Sequence, residues 1–159
     1  MRNMWFVLSV CLLGFASASA QTVDTDRYSS EQLKDLTRTL HTQADASNGT
    51  ATKILAQYPG HYTMLVYRDK SGEVEVHRQF TDILMVIDGK ATLITSGTTQ
   101  NGKEIKPGEI RGTAIEGGSK SALEKGDLVH ISASVPHQVL VPTGGSITYI
   151  AVKIETPTH

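Results

Sequence analysis

The sequence predicts an all-β domain preceded by one helix, and three observations predict it. From Thr50 onward, short runs rich in Val, Ile, Thr and Tyr recur, among them "TKILAQY", "YTMLVYR", "EVEVH", "DILMVIDG", "ATLITSG", "EIRGTAI", "DLVHIS", "HQVLVP" and "SITYIAVKI". Turn-forming clusters such as "PG", "DKSG", "DGK", "QNG", "EGGSKS", "EKGD" and "PTGG" separate them. Twelve of the 14 glycines lie at or beyond Gly60. Roughly eight to ten short strands at this spacing indicate a sandwich or barrel, here read as a double-sheet jelly roll. No alternation of strand and helix points to a parallel sheet.

The elements follow in order. Residues 1–20 read as a secretory signal: Arg2 supplies the positive start, "MWFVLSVCLLGF" the apolar core and Ala18–Ser19–Ala20 the cleavage site. The apolar run falls short of the ~20 residues of a bilayer span. The mature chain is therefore expected to begin at Gln21 and to be secreted or periplasmic. Residues 21–49 form a lead-in and the one clear helix. Its start is marked by Ser29 or Ser30, with Gln32 or Glu31 in the first turn; Leu33, Leu36 and Leu40 form an apolar stripe, and "SNG" ends it. Residues 50–159 form the barrel. Within them, Thr98–Lys125 is less regular, and its polar "TTQNGKEIKPG" is read as a solvent-exposed loop, a long hairpin loop or a flap over the barrel mouth.

Bulk numbers exclude several function classes. Without Arg2, the 15 Lys and Arg become 14 against 16 Asp and Glu, which favours neither nucleic acid nor an anionic membrane surface. The single cysteine, Cys11, leaves with the signal, so the mature chain has no disulfide and no thiol chemistry. No nucleophile elbow, phosphate-binding loop or zinc-protease helix is present.

One strand has an unusual face. In "EVEVHRQFTDILMVIDG", residues 73–89, Glu75, His77 and Gln79 alternate and share one side of a strand. Such a face meets either water or a cavity that holds something. Asp82 follows His77 by five residues and Gly89 follows Asp82 by seven; later comes "GDLVHISASVPHQ", residues 126–138. This pair of segments resembles the cupin superfamily. The first cupin motif runs glycine, His-x-His, an acid, then glycine; the second runs glycine, proline, glycine, histidine.

In the first motif His77 matches the second histidine, Glu75 stands in place of the first, Asp82 takes the acid position and Gly89 closes it. In the second, Gly126 fits, Ser132 replaces the proline, Ser134 replaces the glycine and His137 is the metal-binding histidine. An alternative register makes His77 the first of the pair and Gln79 the second, which keeps Gln79 as a candidate ligand or supporting residue. The resemblance spans His61 to Lys153 and implies a double-stranded β-helix barrel, like small secreted bacterial cupins. It also implies a metal held by His77, Asp82, His137 and Glu75, and a homodimer, which exposed sheet edges would favour.

The residue types point the same way. Two imidazoles with one or two carboxylates suit one divalent transition ion, Zn, Fe, Mn, Ni or Cu, better than Ca or Mg. Three or four protein ligands leave room for a small-molecule substrate or ligand. Asp82, a methylene shorter than Glu, would reach the ion or instead orient His77. Glu75 or a nearby tyrosine would move a proton. The expected function is a metal-dependent cupin acting on a sugar, sugar acid or keto acid by isomerase, lyase or dioxygenase chemistry. The alternative is a non-catalytic ligand-binding or structural barrel. Asp88 is assigned to the "DG" turn. His130, alternating with Leu128, is expected to be structural, and His41, His61 and His159 carry no motif. Tyr62, Tyr67 and Tyr149 could line a cavity, although aromatic residues are ordinary strand fillers.

Overall fold

The computed structural model describes residues 25–156. The signal segment, its cleavage site at Ala20–Gln21 and His159 lie outside the described residues. Helix α1 spans Ser30–Asp45, and Ser29 caps it. The Ser29 hydroxyl accepts from the Gln32 amide while the Gln32 side chain accepts from the Ser29 amide, a reciprocal capping box. Leu40 and Ala44 bury their side chains against Ala51, Leu65 and Tyr67, so the helix covers the outer face of the sheet. Among the described residues, no helix is long and apolar enough to cross a membrane.

Twelve strands follow: β1 Thr50–Tyr58, β2 His61–Arg68, β3 Val74–His77, β4 Phe80–Thr95, β5 Thr98–Gln100, β6 Lys103–Lys106, β7 Glu109–Gly112, β8 Ala114–Glu116, β9 Ser119–Glu124, β10 Leu128–Ile131, β11 His137–Leu140 and β12 Ile147–Glu155. Ten of them form one curled antiparallel sheet in the order β1-β2-β12-β4-β11-β3-β7-β6, with β9 and β10 also paired to β4; β5 and β8 form a small separate ladder. This is an all-β jelly roll, as the strand spacing predicts.

β4 joins the two halves. Its first part pairs with β12 and β10, and its second part, from Lys90, with β9 and β11. The sequence assigns "DGK" to a turn, but the strand runs through it without reversing. Ile87 is an extra residue between Val86, opposite Tyr149, and Asp88, opposite Thr148. Such a bulge bends a strand. Gly89 then takes φ 78°, and a Cβ there would lie 2.1 Å from the Ser146 carbonyl oxygen. The bend and the close crossing both need glycine.

Two further expectations are corrected. The polar "TTQNGKEIKPG" is largely exposed, as expected, but it is not all loop: it supplies β5 and β6, and "SKSALE" after the glycines of "EGGSKS" pairs along β4. β5 and β6 are short, and all of β6 is exposed, so they lack the apolar alternation that reveals a strand. His130 and Leu128 do share a face, but it is the outer one, where both are exposed.

The core lies between the two halves of the curled sheet, on Val66, Leu84, Val86, Leu93, Ile147 and Tyr149 among others. We predict that Gly89→Ala lowers folding stability by at least about 2 kcal/mol in chemical denaturation, because it adds a strained backbone to a steric clash. Ser134, which stands where the cupin motif has glycine, keeps a left-handed backbone at φ 67°. Ser134→Gly should therefore raise stability by about 1 kcal/mol in the same assay.

Candidate metal centre

The polar face of β3 looks into a cavity of about 720 Å³. Antiparallel register builds the wall. His137 on β11 stands opposite Glu75, and on the other side of β3 Arg111 and Glu109 of β7 stand opposite Glu75 and His77. Lys153 of β12 stands opposite Asp82 of β4. Directly opposite residues have Cβ atoms about 4.5–5.5 Å apart, so each pair can touch.

They do touch. His77 Nδ1 lies 2.8 Å from Glu109 Oε2, and His77 Nε2 lies 3.2 Å from Glu75 Oε2 and 3.4 Å from Asp82 Oδ2. His137 Nδ1 lies 3.1 Å from the Val135 carbonyl, and its Nε2 lies 3.5 Å from Asp82 Oδ2. The Val135 carbonyl accepts from His137 Nδ1–H, which turns the His137 Nε2 lone pair to the cavity, while His77 has a carboxylate at each nitrogen, Glu109 at Nδ1 and Glu75 at Nε2. One donor atom from each of Glu75, His77 and His137 lies within 4.8 Å of the others. A tetrahedral ion with ~2.0–2.2 Å bonds separates its ligands by about 3.3–3.6 Å, close to the spacings seen here. The donor set therefore fits a divalent transition ion.

Glu75 is held in place. Arg68 Nη2 lies 2.8 Å from its Oε1 and Arg111 Nη1 2.9 Å from its Oε2. Burial raises the Glu75 pKa, but the hydrogen bond with His77 and the charges of Arg68 and Arg111 outweigh it and hold the carboxyl well below the ordinary 4.5. A carboxyl in this setting stays ionised near neutral pH, which suits cation binding more than proton transfer. Burial lowers the His137 pKa below the ordinary 6.5, offset in part by Glu75, the Val135 carbonyl and Asp82. Burial, then Asp82, Glu109 and Glu75, raise the pKa of Tyr62.

The sequence-predicted residues distribute unevenly. Glu75, His77, Asp82 and His137 all line the cavity. Asp82 arrives already engaged, because its Oδ2 carries the Lys153 ammonium. Gln79 does not join them: it is exposed in the bend after β3, beside Gly108. The strand ends at His77, so alternation no longer governs the next inward position. Tyr62 and Tyr149 line the cavity, whereas Tyr67 is buried beneath α1. His61 is exposed and stacks on Tyr58. His41 forms a second group of donors with Asp45 and Asp69, where His41 and Asp45 are exposed.

The sequence reading missed Glu109, Arg111, Arg68 and Lys153. Glu109 and Arg111 belong to "EIRG", an alternating strand with a charge on either side of an isoleucine, and that pattern was their only signal.

No protein-family model matches the chain, and no curated protein matches it. Solved structures do. KdgF from Halomonas sp. aligns over 71% of this chain and 86% of its own at 17% identity, TM-score 0.52. A cupin-2 domain protein from Rhodospirillum rubrum aligns over 70% of this chain and 63% of its own at 14% identity, TM-score 0.50. The fold is that of a cupin. The DMSP lyase DddQ from Ruegeria pomeroyi shares it over 70% of this chain and 49% of its own, at 15% identity and TM-score 0.51. In the cupin barrel, Ser134 sits in the turn before β11, and its amide donates to the His77 carbonyl at 2.8 Å, tying the two motif segments together.

The two depressed groups act in separate pH windows. The His137 pKa is lower in the folded state than in the unfolded chain, so its contribution is complete above about pH 6.5 and is lost as pH falls below that toward its folded pKa. Glu75 behaves likewise below about pH 4.5. Denaturation of the metal-free protein between pH 7.5 and 5.5 should show falling stability in the wild type and a flatter profile in His137→Gln.

Proposed function

We propose that the protein is a metal-dependent cupin that binds and transforms a small molecule of the sugar, sugar acid or keto acid class by isomerase, lyase or dioxygenase-type chemistry. The observation that carries this reading is the convergence of Glu75, His77 and His137, with both imidazoles oriented through Nδ1. These three residues would hold one divalent Zn, Fe, Mn, Ni or Cu ion, while Asp82 Oδ2, 3.4 and 3.5 Å from the two imidazoles, would join them only on release of Lys153. Such an ion supplies Lewis acidity toward a carbonyl or enolate oxygen and, as Fe(II), oxygen chemistry.

The chain supplies the rest. Arg68 and Arg111 fix the Glu75 carboxylate, and Glu109 fixes the ring of His77. Tyr62, kept protonated by burial and by the neighbouring acids, offers Oη as a proton donor at the cavity wall. Fold likeness at these identities leaves the reaction open to many cupin chemistries. Export after Ala20 is part of the same proposal, supported by the charged start, apolar run and small-residue cleavage site. So is a homodimer, supported by Leu128, Met85 and Ile154 exposed on the outer sheet face.

A second reading has its own observation. The Lys153 ammonium sits on Asp82 Oδ2, next to both imidazoles, and supplies a built-in cation there. A metal-free ligand-binding barrel would use it. Elemental analysis of untagged mature protein separates the readings. Near one transition ion per chain is expected, lost in His77→Ala/His137→Ala. Glu109→Ala should weaken metal affinity by about 10–100-fold, because it removes the acceptor that orients His77. Metal-free protein, even after incubation with Zn, Mn, Ni and anaerobic Fe(II), would favour the second reading.

A further inference from the structure

The cavity wall contains polar groups that the protein leaves unpartnered. Asp82 is almost wholly buried; its Oδ2 carries Lys153, but its Oδ1 accepts nothing. Arg111 is ion-paired at both Nη atoms, Nη1 2.9 Å from Glu75 Oε2 and Nη2 2.5 Å from Glu109 Oε1, and so has no free face for a ligand. An ammonium has three N–H donors, and among the described residues Lys153 is seen to use one, toward Asp82. Buried donors and acceptors left alone are costly, so a site of this kind is completed by what it binds.

The three groups belong to one connected run. Arg111 meets Glu75, Glu75 meets His77, and His77 meets Asp82, with no step longer than 3.4 Å; Asp82 then meets Lys153. All line the same cavity, whose volume suits a small ligand. The charged residues in its wall balance: Arg68, Lys106, Arg111 and Lys153 against Glu73, Glu75, Asp82 and Glu109. A divalent ion bound there would leave the wall positive.

We propose that the ligand is a small hydroxy acid, its carboxylate received by Lys153 and a hydroxyl donated to Asp82 Oδ1. A neutral sugar could satisfy Asp82 but would offer no charged acceptor to the spare Lys153 donors. A carboxylate without a hydroxyl would do the reverse. The ammonium is a compact charge with rotatable donors, so it tolerates several approach angles. Lys153 is thus the specificity-determining residue. The proposal deepens the small-molecule reading of the cavity and rests on it, but it needs the metal only for the excess charge.

Calorimetric titration tests it. The mature protein is titrated with glycolate, tartrate, gluconate and glucuronate, each beside its neutral amide, with metal content measured on the same samples. At least one acid should bind ten-fold or more tightly than its amide. Lys153→Met should abolish that preference, and Lys153→Arg should restore part of it. Because Lys153→Met strands a buried carboxylate, Asp82→Asn/Lys153→Met, which removes the pair together, should fold and show the same loss. If no acid binds, if acid and amide bind alike, or if the preference survives in the folded double variant, the proposal is overturned. A wild-type preference for the acid in metal-free protein, lost on Lys153→Met, would sustain the proposal while the ion reading fails.

Discussion

Ionisable groups inside a barrel need partners, and in this protein antiparallel register supplies them. His77 faces Glu109, Glu75 faces Arg111 and His137, Asp82 faces Lys153, and Arg68 faces Thr50. A one-residue slip of any of these strands would send its charges to the other face of the sheet and leave the partners buried alone. Breaking one buried pair costs roughly 3–5 kcal/mol, a large part of the stability of a domain this size. Register and charge pairing therefore enforce each other. The same pairing places Glu75, His77 and His137 around one point without any loop having to move.

β4 makes that arrangement possible. One continuous strand serves both halves of the sheet, so Asp82 near its start and the β11-pairing segment near its end are fixed in one rigid piece. The bulge at Ile87 and the left-handed Gly89 supply the bend. Helix α1 covers the outer face behind β1 and β2 and leaves the inner face to the cavity. Apolar residues of the core, Val66, Leu84 and Ala151 among them, also line the cavity, so the polar run meets an apolar floor. Electrostatic interactions are stronger beside such a floor than in water.

The chemistry of the site follows from this mixture. Two guanidiniums hold one carboxylate ionised, burial favours neutral His137, and acceptors on each Nδ1 turn both Nε2 atoms toward the same space. These are conditions for holding a cation. Beside them, Lys153 keeps N–H donors beyond the one it gives to Asp82, whose Oδ1 is left without a partner among the described residues. A site with both features suits a ligand that carries an anionic group as well as oxygen atoms for an ion.

The sequence alone determined the fold class, the helix with its start at Ser29 or Ser30, and the strand face that carries Glu75 and His77. Each of these depends on neighbours only a few residues away, or on a motif spacing that survives substitution at Ser132 and Ser134. It also brought Asp82 and His137 into the candidate set. It did not reveal that "DGK" is a bend within one strand, because a glycine reads the same in a turn and in a bulge; the nearby Ser146 carbonyl decides between them. It placed Gln79 on the polar face by extending a period beyond the end of its strand. Glu109, Arg111 and Lys153 came only with the tertiary structure, since their roles are set by partners 32, 36 and 71 residues away. Local periodicity shows which way a side chain points. Only the pairing of distant strands decides what it meets.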